Sequence, residues 1–166
     1  MRILTIVDTS GTNVTLLSAF LTGLFGGLRS LTAPAATAWA ARLGWLKIER
    51  PLSLIGSVPS VLILTLAAAV ELVVDKLPAT PSRTAPPGLI ARILMVGLTG
   101  ACVASAGGSE AIPGALLGAA GGVVGCFGGY QARVRLVRAL NKPDIYVALV
   151  EDIVAIAGSI WVVSRF

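Results

Sequence analysis

Five long apolar stretches, each bounded by proline, charge or glycine, constrain this chain more than any other feature. They lie at approximately 12–29, 52–74, 89–108, 112–131 and 144–164. A membrane-spanning helix needs roughly 20 mainly apolar residues, with a range of about 17–25. Each stretch meets that length or comes close. Composition agrees: hydrophobic residues are 55% and charged residues 13%, against roughly 25% charged in an ordinary soluble domain. Mean hydropathy is +0.88. The expected fold is all-α, a polytopic transmembrane helix bundle in one integral membrane domain over residues 1–166.

Segment 78–87, PATPSRTAPP, holds four prolines in ten residues and is no helix interior. It divides the chain into halves 12–77 and 88–166. Segment 31–46, LTAPAATAWAARLGWL, is shorter. Thr32 fits an N-cap and Pro34 an early helical position, while Trp39 and Trp45 are of the type enriched at membrane interfaces. An interfacial or re-entrant helix is expected there, with a sixth span as the alternative. The first residues, MRILTIVDTSGTN, make a poor signal peptide because Asp8 interrupts the apolar run. A short surface segment is expected.

The net charge is +5. The bases cluster at the ends of apolar runs, which argues for membrane flanks rather than a nucleic-acid surface. Loops 76–92 (Lys76, Arg83, Arg92) and 131–143 (Arg133, Arg135, Arg138, Lys142) are separated by two helices and share a side. Short basic loops stay in the cytoplasm, so a multi-pass protein of the cell (inner) membrane with these loops cytoplasmic is expected. Five spans would put the N-terminus on that side too, and Arg29 on the other. There is no histidine, which removes the commonest general base and metal ligand. Cys102 and Cys126 sit in Gly/Ala-rich runs without zinc spacing and read as small core residues. No phosphate-binding glycine loop of the G-x-x-x-x-G-K-[ST] type occurs. No cofactor and no enzyme class is expected from these features.

Twelve of the 19 glycines fall between residues 88 and 129. Gly114, Gly118, Gly121, Gly125 and Gly128 step by 4, 3, 4, 3 and form one stripe on one helix. Ala19, Gly23, Gly26 and Ser30 repeat the step in the first stretch, and Gly97, Ala101, Ala104 and Gly108 in the third. Small residues let helices approach closely in lipid, where apolar burial drives little association. Intramolecular packing and a homo-oligomer interface both remain open.

Ionisable residues inside membrane segments are costly and are functional candidates. Glu71 and Asp75 lie one turn apart on one face. Glu151 and Asp152 are adjacent and point about 100° apart. With the shared side above, all four fall near the same helix ends, within reach of Arg83, Arg92 and Arg133. They form either a structural ion network or a polar cation, proton or solute site. Carboxylates also suit Mg²⁺. Arg29, beside Ser30, Thr32 and Pro34, either holds an anion or snorkels to the interface. A hydrated cavity at the carboxylates would favour transport; carboxylates all paired with arginine would favour a structural role.

The halves also echo each other. GLFGGLRS (23–30) matches GCFGGYQAR (125–133), and AVELVVD (69–75) matches ALVEDIVA (148–155). With five spans the matched helices run oppositely, the pattern of an inverted repeat. Against it, the two acidic pairs fall near one side instead of at mirrored depths.

The phrases GLRSLTAPAATAWAARLG (27–44), ELVVDKLPATPSRT (71–84), GALLGAAGGVVGCFGGYQARVRL (114–136) and ALVEDIVA (148–155) resemble an uncharacterised bacterial integral membrane family, defined by a domain of unknown function. The resemblance implies a small multi-helix membrane protein and carries no activity.

The leading expectation is a small transporter or channel for an ion or small solute, homo-oligomeric in the lipid bilayer. Glu71, Asp75, Glu151 and Asp152, with Arg29 and Ser30, would bind the ion or solute. Lys76, Arg83, Arg92 and Arg133 would form gating ion pairs. The alternatives are a non-transporting scaffold or assembly partner and an Mg²⁺-dependent lipid-modifying enzyme.

Overall fold

The computed structural model describes residues 9–76, 86–141 and 143–166. Arg83 and Lys142 lie outside them. The described residues form six α-helices: α1 Thr9–Leu28, α2 Thr32–Arg42, α3 Val58–Val74, α4 Pro86–Ala106, α5 Ala111–Leu140 and α6 Asp144–Val163. Four of them, α1, α4, α5 and α6, are long and apolar enough to cross a membrane. The α3 helix is apolar but has only 17 residues. Large apolar side chains point outward around the bundle: Leu66 is 67% exposed, Ile112 73% and Ile153 65%. Such a surface belongs against lipid, and the chain is a multi-pass membrane protein.

Local chemistry sets most boundaries. The apolar stretch 52–74 is not one helix: residues Leu52–Gly56 form a 3₁₀ turn, and α3 starts only after Ser57. Ser57 Oγ accepts from the Ser60 amide at 3.4 Å, and Pro59 falls in the first turn, where its missing N–H costs nothing. The α4 helix likewise opens on Pro86, so Arg92 is helical rather than in a loop. The α5 helix continues nine residues past the expected end at 131, because Gln131 to Leu140 are good helix formers. It stops at Asn141, left-handed with φ 48°, just before Pro143. Helix α1 begins at Thr9, so the expected surface segment is helical from there.

Glycine contacts fix the helix directions. Gly23 lies against Gly118, and Gly27 against Gly122 and Gly125, so α1 and α5 run the same way. Gly100 lies against Gly114 and Gly118, and Val96 against Gly118 and Gly122, so α4 runs opposite to α5. Helix α2 folds back along α1: Gly26 sits against Ala33, and Ala19 and Ala40 share a cluster with Leu46, Val103 and Val163. Helix α3 returns beside α2, where Trp39 Nε1 donates to Thr65 Oγ1 at 3.0 Å. Helix α6 descends against α1, with Gly158 at Phe25.

Three expectations change. Helix α2 is not interfacial: Ala33, Thr37 and Ala38 are fully buried, and with the segment after it α2 carries the chain back to the far end of the bundle. The start of α1 therefore lies opposite the described basic residues Lys76, Arg92 and Arg133, whereas Arg29 lies at their end. The inverted repeat fails on direction at its first matched pair, because α1 and α5 are parallel; of the matched pairs, only α3 and α6 run oppositely.

The glycine stripe packs inside the chain. A Cβ at Gly121 would overlap the Phe20 carbonyl, one at Gly125 the Leu24 carbonyl, and one at Gly114 the Ala104 side chain. Gly122 faces Val96, so α5 packs on α1 and α4 together. Gly128 was expected to continue the stripe, but nothing lies within 4 Å of its Cβ position. Helix α1 has ended at Leu28, level with Gly125, and leaves no partner above it.

Candidate functional site

One end of the bundle gathers the 29–31 turn, the last turn of α3, the start of α4, the upper part of α5 and the start of α6. A charged cluster forms there from all of them.

The tight α1–α2 hairpin leaves two helix ends inside the bundle, and each end exposes unpaired backbone groups. Leu31 at the α2 N-cap offers no side-chain cap. Glu71 reaches across from α3 instead. Its Oε1 accepts the Ser30 amide at 2.7 Å and also the Ser30 hydroxyl; its Oε2 accepts the Leu31 amide at 2.8 Å. A carboxylate there also complements the positive end of the α2 dipole. Thr32, expected to cap α2, occupies its first turn, and its buried hydroxyl has no hydrogen-bond partner among the described residues. Arg92 serves the other end: Nη1 donates to the Gly27 carbonyl at 2.6 Å, and Nη2 lies 3.7 Å from Glu71 Oε1. One Glu–Arg pair from α3 and α4 thus caps both sides of the hairpin.

Arg29 is the hub. Its side chain is fully buried. Nη1 donates to Asp75 Oδ2, Nε donates to Asp152 Oδ1 at 2.6 Å, and Nη2 stands 4.0 Å from Glu151 Oε2. It does not snorkel, because its side chain is fully buried; a guanidinium among carboxylates is an ion-pair partner. Lys76 Nζ donates to Asp152 Oδ2 at 2.6 Å and to the Leu72 carbonyl. Arg133 Nε donates to Asp144 Oδ1 at 2.8 Å, and its Nη1 to Glu151 Oε2 at 3.4 Å. The 100° between Glu151 and Asp152 turns Asp152 toward Lys76 and Glu151 toward Arg133, with Arg29 between them, so both adjacent residues join the cluster.

The expected residues Arg29, Ser30, Glu71, Asp75, Lys76, Arg92, Arg133, Glu151 and Asp152 therefore come together. Asp144 was missed. Its signal was its place in the first turn of α6 directly after Pro143, where an acidic residue favours the helix dipole. Among the described residues, no group of three Cys, Asp or Glu side chains is placed to hold a metal ion. The buried thiols Cys102 and Cys126 stand apart from the cluster as core residues.

Two grooves flank it. One of about 380 Å³ separates α3 from α6 over α2 and is lined by Ala35, Ala36, Trp39, Ala69 and Ile156. The other, about 400 Å³, lies between α5 and α6 and is lined by Leu136, Leu140, Val147, Val150 and the Arg133–Glu151 pair. Both are open and almost wholly apolar, as lipid-facing crevices are.

No curated protein and no solved structure matches this chain. A family model described as a domain of unknown function (DUF4126) matches residues 16–164, and the chain belongs to that family.

Proposed function

We propose that this chain is a non-transporting membrane scaffold, a rigid helical unit on which other membrane components assemble. One observation carries the reading: each of the four intramembrane carboxylates is engaged by an arginine. Glu71 pairs with Arg92, Asp75 and Asp152 with Arg29, and Glu151 with Arg133. A solute site needs ligand oxygens that exchange readily, whereas Glu71 gives both of its oxygens to the α1–α2 turn. Among the described residues, the grooves beside the cluster are lined almost wholly by apolar side chains.

Glu71→Gln and Glu151→Gln are expected to lower thermal stability in detergent while leaving the ion and solute permeability of reconstituted vesicles at the level of protein-free vesicles. The Glu71 change weakens two charge-assisted bonds to backbone N–H groups at a cost of about 2 kcal/mol. Wild-type flux above the protein-free level that Glu151→Gln abolishes, with stability unchanged, would sink the scaffold reading.

One observation favours the transporter or channel as a second reading. Helices α3 and α6 flank the groove over α2 and are tied at the charged end by Lys76–Asp152 and Asp75–Arg29–Asp152. Lys76 and Asp75 are also the more exposed members, at 21% and 19%. Breaking those pairs would let α3 and α6 part, which is how an ion-pair gate works. In that case Asp152→Asn raises flux instead of only lowering stability.

A further inference from the structure

The geometry points to an anionic-phospholipid site on the outer face of α5, made by Arg135 and Arg138 with Gln131. The inference goes beyond the scaffold reading and does not depend on it.

Length comes first. Helix α5 has 30 residues, whereas α4 has 21 and α6 has 20. At 1.5 Å per residue α5 is about 45 Å long, against about 30 Å of hydrocarbon. Gly114 of α5 abuts Ala104 of α4. Counting equal rises from that contact, α5 passes the start of α4 at about residue 132. Arg135 and Arg138 therefore lie at headgroup level.

Charge comes second. Both arginines are exposed. Arg135 Nη2 donates to Gln131 Oε1 at 3.4 Å, and among the described residues neither guanidinium has a carboxylate partner. Arg133, two residues earlier, is held by Asp144 and Glu151. Two guanidinium groups on neighbouring turns suit a phosphate.

The face below them completes the site. Gln131, Arg135 and Arg138 share a helix face with Val124, Phe127 and Gly128, all exposed. The missing side chain at Gly128, with nothing within 4 Å of its Cβ position, gives an acyl chain close access to the helix. A second copy docked symmetrically here would set Arg135 and Arg138 against their own counterparts, so like charges disfavour it. An anionic lipid answers both the charge and the apolar strip.

Native mass spectrometry of the protein, titrated with phosphatidylglycerol and separately with phosphatidylcholine, tests this. Each arginine near the surface contributes about five-fold, so about 25-fold tighter binding of phosphatidylglycerol is expected. Arg135→Gln/Arg138→Gln is expected to abolish the preference without moving the melting temperature. Gly128→Phe is expected to weaken lipid retention and leave inorganic phosphate binding unchanged. The proposal is overturned if wild type shows no preference, if the double variant keeps it, or if inorganic phosphate displaces the lipid at equal concentration, the mark of a free-anion site.

Discussion

Gly121→Ala is expected to remove about 3 kcal/mol of stability, enough to lose most of the folded protein from a mild-detergent preparation. Its Cβ would overlap the Phe20 carbonyl and crowd the Leu24 amide. Both obstacles are backbone, so no rotamer change relieves them, and α1 must move away from α5. That movement also loosens Gly23–Gly118 and Gly27–Gly122, since the contacts lie along one helix pair. Gly128→Ala is the control. It meets nothing within 4 Å and, by helix propensity alone, leaves stability unchanged or raises it by up to about 1 kcal/mol. Reversible unfolding of both variants by circular dichroism decides the point. Equal stabilities would mean that the α1–α5 approach does not hold the bundle.

Arg29→Met is expected to cost about 3–5 kcal/mol, because it leaves buried carboxylates without their shared cation. Asp75 loses the partner it has on α1, while Asp152 keeps Lys76. The loss should thus fall more heavily on Asp75, and Arg29→Met/Asp75→Asn is expected to recover more stability than Arg29→Met/Asp152→Asn. Replacing a buried ion network by neutral groups is often tolerated, whereas deleting one member is not. Unfolding of the single and double variants measures this as a coupling energy. A single variant within about 1 kcal/mol of wild type, or the reverse order of recovery, would show that Arg29 is not the hub.

The candidate site was legible in kind but not in connection. Intramembrane charge marked Glu71, Asp75, Glu151 and Asp152, because an ionisable group in an apolar run stands out whatever the fold. That Glu71 caps α2 was not legible. The cap belongs to a residue 40 positions away in the chain, and the sequence offered Thr32 as a local answer. Arg29 looked like an interface residue because it follows a span directly. Only the return of α2 down the bundle placed it at the inner turn of a hairpin, surrounded by α3 and α6.

The sequence by itself determined that this is an all-helical membrane chain, where most helices break, and that α5 carries small residues for close packing. Those properties are local: apolar length, proline, capping residues and 3.5-residue periodicity act within one segment. Only the tertiary structure decided that α2 runs inward, that α1 and α5 are parallel, and which cation holds which carboxylate. Lipid gives apolar faces little preference among partners. Helix order therefore rests on where glycines permit backbone contact and where buried charges find opposite charges, and both depend on two distant segments at once.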